Sequence, residues 1–351
     1  MLIRADLHTH PLLNRYFLHR DPSRRHRRPP FFFFPFFNYL DYPRAHAAKM
    51  RLLLSVIYVL PLPWRKAIDQ VEQLVRRATE EAERSEVPVR IVRTAIEIRQ
   101  AAEENALALM YAVEGGHVLS GDEENVDRLA KLGVRYLTLV HFIHTRIGGA
   151  SAVPFGGGRR LTDFGRRVVR RLYRHSIVAD LSHTTEPTFW DAIEEAAGPV
   201  IASHSGAREY ALRDRNLSAD QAKAIAKTGG VIGVIFCPFY LKAWRLRGTL
   251  DDLMRNISYF AELAGPEHVT LGSDLDGGLW PPSEIGDIRD FELVANALVA
   301  TGFSSSQVDG IMGENLVRMY ERFDAQQGKG RATPKPVRPR PGNCCSIRGW
   351  H

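Results

Sequence analysis

Eight short apolar runs, six of them leading into a histidine, glutamate or aspartate, constrain this chain more than any other feature. Leu2–Leu7 leads into His8 and His10, Leu107–Val113 into Glu114, and Tyr136–Val140 into His141. Ile177–Leu181 leads into His183, Val200–Ser203 into His204, and Val269–Ser273 into Asp274. Leu52–Leu60 and Val231–Phe236 end without such a residue. Amphipathic helical patterns lie between the runs, over Lys66–Arg84, Asp122–Leu132, Leu161–Tyr173, Asp220–Lys227, Leu250–Leu263 and Phe291–Ala300. Ser218, Thr162 and Ser304 stand where helix starts are expected. Strands alternating with helices predict βαβ units and a parallel sheet with right-handed crossovers. Eight such repeats fit an α/β fold of the (β/α)8 TIM-barrel type better than an open sheet. In that fold the carboxyl ends of the strands converge on one face, so side chains distant in sequence are expected to meet there.

The chain has 351 residues, 44% hydrophobic and 25% charged, which is the composition of an ordinary soluble globular protein. No apolar run is long enough to span a bilayer. Arg4, Asp6 and His8 interrupt any signal-peptide core at the N-terminus, so a cytoplasmic location is expected. The three cysteines give no disulfide framework: Cys237 falls in an apolar run, and Cys344 and Cys345 are adjacent in a tail. The net charge of +7 is peripheral. Six arginines between Arg15 and Arg28 face only Asp21, and six basic residues follow Asp324 with no acid among them, which leaves the remainder at −4. A nucleic-acid groove would place that charge on the fold, so no nucleic-acid partner is expected.

Two segments fall outside the repeating pattern. Residues 14–42 carry the basic cluster Arg24–Arg28 and the phenylalanines Phe31–Phe34, Phe36 and Phe37. They follow the first strand and read either as a long loop packed on the barrel rim or as a lid or oligomer contact. Residues 324–351, rich in Pro, Gly and Arg, read as a disordered basic tail behind a single barrel domain spanning 1–323.

His8 and His10 sit two apart at a strand end, so a period-two backbone turns both imidazoles to one side, within reach of one cation. Glu114 ends an apolar strand and precedes Gly115 and Gly116, which let the backbone turn close to a bound group. It reads as a carboxylate bridging two cations. His183 and His204 repeat the theme on consecutive strands. Neutral imidazoles with carboxylates are the ligand set of a hydrolytic zinc site. Asp274 is placed to accept a proton and return it to a leaving amine, and His141 to donate a hydrogen bond to a developing oxyanion. Arg215 has the geometry to bind a substrate carboxylate, although read alone it would be a surface partner of Asp214 or Asp220. His117 is either a supporting residue or a loop histidine, the second being preferred. Asp276 reads as a turn residue, and the role of Asp180 is open.

These segments resemble the renal or membrane dipeptidase family, the M19 peptidases of the metal-dependent amidohydrolase superfamily. The resemblance rests on Asp6–His10, Glu114–His117, Tyr136–His141, Leu161–Gly165, Asp180–His183, Ser203–Ser205, Asp214–Leu217, Gly272–Gly277 and Gly313–Tyr320, which occur in family order. It implies a (β/α)8 barrel with two zinc ions per chain. The first is held at His8 and His10, the second at His183 and His204, and Glu114 bridges. It implies substrate binding at His141 and Arg215, proton handling at Asp274, and dipeptide substrates that often carry a D-residue at the C-terminal side. By analogy with the family alone, a homodimer is the expected assembly. The chain departs from the family at His10, where an aspartate is usual, at Phe142 and Ile143, where polar residues are usual, and in the aromatic insertion. The sequence therefore predicts a zinc-dependent dipeptidase-like hydrolase in which a hydroxide bridging the metals attacks the scissile amide. The alternatives are an amidohydrolase acting on another small amide, lactam or ester, and a weakly catalytic barrel used for binding.

Overall fold

The structure, a computed structural model, describes residues 2–18, 20–26, 38–61, 67–153, 157–242 and 247–330. Nine parallel strands form one sheet: β1 Arg4–Thr9, β2 Met50–Tyr58, β3 Val89–Ile91, β4 Leu107–Glu114, β5 Val134–Thr138, β6 Val178–Asp180, β7 Val200–Ser205, β8 Ile232–Val234 and β9 Val269–Leu271. The ladder runs β1-β2-β4-β5-β6-β7-β8-β9. A parallel bridge between Thr9 and Leu275, with the His10 amide donating to Leu275 O at 3.0 Å and the Asp274 amide to His8 O at 2.9 Å, brings the first strand against the last. The result is the nearly closed eight-stranded α/β barrel that the periodicity predicts. The ninth strand is β3. It pairs with the first half of β4, at Leu107–Leu109, below the point where β5 takes over at Tyr111.

Strands and helices fall where the apolar patterns put them. The β4 strand and all of β2 before Tyr58 are buried without interruption, as parallel strands covered on both faces must be. The helix Ala67–Glu83 buries Ile68, Val71, Leu74 and Val75, the four positions of its apolar stripe. Ser218 and Ser304 each close a capping box, and Thr162 accepts from the Gly165 amide. Tertiary position reveals several helices that the pattern left unassigned, including Ala95–Glu103, Glu186–Glu195 and Asn315–Gly330. The last continues beyond Phe323, because Asp324 is tied to the barrel. Its carboxylate accepts from the Ala95 amide and from Arg135.

The described parts of the segment after β1 carry regular structure rather than a long loop. Pro11–Leu18 is helical, the His26 amide donates to Asp41, and Asp41 caps the helix Tyr42–Ala47. Arg27, Arg28 and the phenylalanines Phe31–Phe37 lie outside the described residues, as does the tail after Gly330.

Register decides what faces the open end of the barrel. Tyr58 pairs with Glu114, Glu114 with Thr138, and Thr138 with Asp180, so four strand ends stand level. The strands β5, β6 and β9 end before their apolar runs do. Thus His141 lies beyond β5, His183 beyond β6 and Asp274 beyond β9, and only His8, Glu114 and His204 are strand residues. His183 and Asp274 adopt positive φ (67° and 60°), which ends the ladder and redirects each side chain.

Candidate metal centre

The side chains that the sequence brings forward converge at the carboxyl ends of the strands. His8 Nε2 lies 3.0 Å from His10 Nε2, and His183 Nε2 lies 3.0 Å from His204 Nε2. Glu114 stands between the two pairs. Its Oε1 is 3.6 Å from His8 Nε2, 3.3 Å from His183 Nε2 and 3.4 Å from His204 Nε2, and its Oε2 is 3.5 Å from His10 Nε2. Asp274 Oδ1 approaches His10 Nε2 to 3.3 Å, and His141 Nε2 is 3.5 Å from Glu114 Oε1. Three sets of donors lie close enough to share an ion: His8, Glu114 and His204; His8, His10 and Asp274; Glu114, His141 and His183. Two imidazole nitrogens bound tetrahedrally to zinc at about 2.0–2.1 Å are separated by about 3.3 Å, so each pair is spaced to hold one ion.

Burial sets the charge states that a metal site needs. It holds His8, His141, His183 and His204 well below the ordinary imidazole range, with nearby cationic groups adding to the effect, so these rings are neutral near pH 7. Burial pushes Glu114 well above the usual carboxylate range, and the charges of Asp274 and Asp180 push it further. A buried carboxylate among neutral imidazoles is a poor structural element but a good cation ligand. The residues present therefore fit divalent metal binding.

Arg215 completes the site. Its guanidinium is buried, donates to Ser205 Oγ at 2.9 Å and to His204 O at 2.6 Å, and lies 5.5 Å from the Tyr240 ring centre. No carboxylate among the described residues pairs with it, and Nε has no hydrogen-bond partner there. The surface ion pair with Asp214 or Asp220 that residue type alone suggests is not what forms. Arg215, Glu114, His141 and Asp274 open onto one cavity of about 210 Å³ with Tyr58 and Phe142 in its wall. A larger cavity of about 560 Å³ at Arg25, Arg44 and Arg289 lies away from this cluster, and its charges are largely paired within the protein, as in Arg44 with Asp41 and Asp287.

Other residues take parts the sequence did not disclose. His117 is buried and bonds Val59 O at 2.8 Å through Nε2, so it joins two loops below the site. Gly115 needs its positive φ of 100°, but Gly116 is required for packing: a Cβ there would overlap Leu139 O, and no bound group need approach it. Asp276 is in a turn at φ 64°, yet its buried carboxylate also accepts the Tyr39 and Leu40 amides at 2.7 and 3.2 Å, and burial raises it to about 7. It anchors the returning end of the insertion. Asp6, likewise raised to about 7 by burial, accepts from Ser273 and ties β1 to β9. Tyr58 packs edge-on against His141 at 4.9 Å, and burial followed by the Glu114 charge pushes its hydroxyl to about 12. Its level pairing with Glu114 is the only sequence-side signal for it, and that needs the register.

The family model for membrane dipeptidase, peptidase family M19, matches residues 38–332. An uncharacterized dipeptidase of Schizosaccharomyces pombe, C965.12, is 32% identical over 222 residues, covering 62% of this chain and 53% of that protein. Among solved structures, dipeptidase AC, a metallopeptidase of family M19, superposes with a TM-score of 0.82 at 24% identity, over 92% of this chain and 98% of that one. A metallopeptidase from Rhodobacter sphaeroides, liganded with a phosphinate mimic of the dipeptide L-Ala-D-Ala, superposes with a TM-score of 0.78 at 24% identity, over 92% and 99%.

Proposed function

The chain belongs to the membrane dipeptidase family, peptidase family M19, and from that premise we propose that it hydrolyses dipeptides with two zinc ions. Membership makes it a metal-dependent hydrolase. The dinuclear zinc centre, the substrate and the residue roles are our reading. His8 and His10 would hold one ion, His183 and His204 the other, and Glu114 would bridge. Bound zinc supplies Lewis acidity and acidifies water at neutral pH.

The rest of the chemistry is assigned to the protein's own groups. Arg215 binds the C-terminal carboxylate of the substrate, which is the partner its unpaired guanidinium lacks. That placement fixes the scissile carbonyl over Glu114 and within reach of His141. His141, neutral through burial, donates a hydrogen bond from Nε2 as the carbonyl oxygen gains charge. Asp274, 3.3 Å from His10, takes up a proton on the attacking side and delivers it to the departing amine. Tyr58 and Phe142 wall the cavity and limit water around the reacting centre.

The observation that carries this reading is the unpaired, buried Arg215 opening onto the same cavity as the Glu114 cluster. A carboxylate anchor beside a cation site suits a small substrate with a free C-terminus. The ligand seen in the Rhodobacter sphaeroides neighbour, a mimic of L-Ala-D-Ala, supports extending the range to a D-residue in the second position. Metal analysis combined with a dipeptide panel that includes D-residues there tests the proposal. Two zinc ions per chain and metal-dependent cleavage are expected, and turnover unchanged after metal removal overturns it. We read the enzyme as a cytoplasmic homodimer with one catalytic barrel followed by a basic tail. No helix among the described residues is long and apolar enough to cross a membrane. Fractionation and sedimentation test location and assembly.

A further inference from the structure

Ser203 lies between the two histidine pairs, and its contacts leave its hydroxyl one arrangement. Its Oγ is 2.6 Å from Asp180 Oδ2, 3.0 Å from His8 Nδ1, 2.8 Å from His204 Nδ1 and 3.3 Å from Ser182 Oγ. The Ser203 hydroxyl donates its single proton to Asp180, the shortest of these contacts, and has only lone pairs left for its other neighbours. Asp180 is in turn held by Thr138 Oγ1 at 2.6 Å and by the Ser182 and Ser203 amides at 3.0 and 2.9 Å, so this acceptor does not move. His204 Nδ1 and His8 Nδ1 lie closer to Ser203 Oγ than Ser182 Oγ does, so the two Ser203 lone pairs take these imidazole nitrogens as donors. The Tyr136 hydroxyl, which also bonds Ser203, lies 3.2 Å from Leu7 O and 2.8 Å from His8 Nδ1; where it donates to Leu7 O, it too accepts from that nitrogen. With the proton on Nδ1, Nε2 of both rings keeps its lone pair, and Nε2 is the atom that faces Glu114.

The pattern is asymmetric in a telling way. Nδ1 of His10 and Nδ1 of His183 have no hydrogen-bond partner among the described residues. Each pair therefore contains one histidine set by Ser203 and one that is not. We propose that Ser203, anchored by Asp180, is the positioning residue shared by both halves of the metal centre, holding His8 and His204 as Nδ1–H tautomers that present Nε2 to the two ions. This rests on the dinuclear reading above. It adds that the two sites are coupled through one hydroxyl beneath them as well as through the bridging Glu114. Groups that orient a metal-binding imidazole in this way contribute about 10–100-fold to metal affinity.

The test combines tautomers and zinc affinity. In metal-free protein labelled with ¹⁵N-histidine, and assigned with His8→Gln and His204→Gln, long-range ¹H–¹⁵N spectra should show both rings protonated on Nδ1. Ser203→Ala should mix the tautomers of His204, and Ser203→Ala combined with Tyr136→Phe should mix those of His8 as well. In chelator-competition titrations Ser203→Ala should weaken the site containing His204 by about 10–100-fold, and adding Tyr136→Phe should extend the loss to the site containing His8. Ser203→Thr, which keeps a hydroxyl, should restore both tautomers and affinity, and it carries the test if the alanine variant does not fold. Nε2-protonated His8 and His204 in metal-free wild type overturn the proposal, as do unchanged tautomers and affinities in Ser203→Ala. Wild type that binds no zinc overturns the dinuclear reading instead, while its tautomer spectra still judge Ser203.

Discussion

Gly277 packs against Asp274 so closely that Asp274 Oδ1 occupies the place a Cβ on Gly277 would need, and the same Cβ would come within 2.9 Å of His10 Cδ2. The Gly277 amide also donates to Asp274 O at 3.0 Å, so the contact belongs to the turn that aims the carboxylate. Gly277→Ala is expected to displace that carboxylate from His10, with the His10 ring yielding slightly and the other three imidazoles staying in place. Misplacing a reacting group by about 1 Å reduces turnover on the order of 10²-fold. The variant should keep its zinc and lose kcat by about that factor; kcat within twofold of wild type would show that Asp274 does not need this position.

Arg215 gives a prediction about substrates. Arg215→Met removes a buried charged anchor while keeping an apolar stem of similar length against Tyr240. Dipeptides with a free carboxylate should lose about 2–4 kcal/mol of binding, or roughly 30–1,000-fold in kcat/KM. The corresponding dipeptide amides should change little, because they have no charge to leave unpaired. Equal losses for both substrate series in steady-state kinetics would remove Arg215 from carboxylate recognition.

The resemblance read from the sequence sets His10 at a position where an aspartate is usual, and its Nε2 is 3.3 Å from Asp274 Oδ1. His10→Asp adds a negative charge beside Asp274 and Glu114. A like charge makes each deprotonation in the site harder, so the acidic limb of the kcat/KM profile should move to higher pH. An unmoved or lowered limb, measured with zinc saturating, would mean that the first-strand imidazole does not tune the reacting groups.

The barrel was legible because its repeat is a property of hydrophobicity alone. Each apolar run became a strand, and His8 and His10 meet as the period-two spacing predicts although His10 lies one residue past β1. The predicted ligands also meet, since each lies at or just past a strand end and all those ends face one way, whereas Arg215 reaches the site from the loop after β7. What stayed hidden depends on register and on contacts between strands. Tyr58 joins the site through its level pairing with Glu114. Ser203 and Asp180 matter through hydroxyl geometry that no spacing encodes. The positive φ of His183 and Asp274 lengthens the reach beyond the strands, and neither residue type announces it. Gly116 looks like a turn made for a ligand, yet Leu139 O fills the space beside it.

Glu81 supplies a prediction away from the site. It lies on the helix Ala67–Glu83 with its side chain almost fully buried, 3.0 Å from Arg15 Nε and 3.7 Å from Arg84 Nη2. Burial, with the Asp21 charge adding to it, raises its carboxyl to about 7 despite the opposing effect of Arg15 and Arg84. The folded protein thus holds this proton more tightly than the unfolded chain. The stability linked to it is complete below the ordinary glutamate range and is lost as pH rises through about 7. Glu81→Gln removes the ionisation. Its Tm should match wild type near pH 4.5, the ordinary glutamate value, exceed it increasingly up to about pH 7, and stay above it beyond, with each kcal/mol worth about 2–4 °C. Because Arg15 and Arg84 would then face a neutral amide, the opposite outcome is also physically defined. A variant less stable than wild type above pH 7 would show that the two arginines outweigh the burial of the charge.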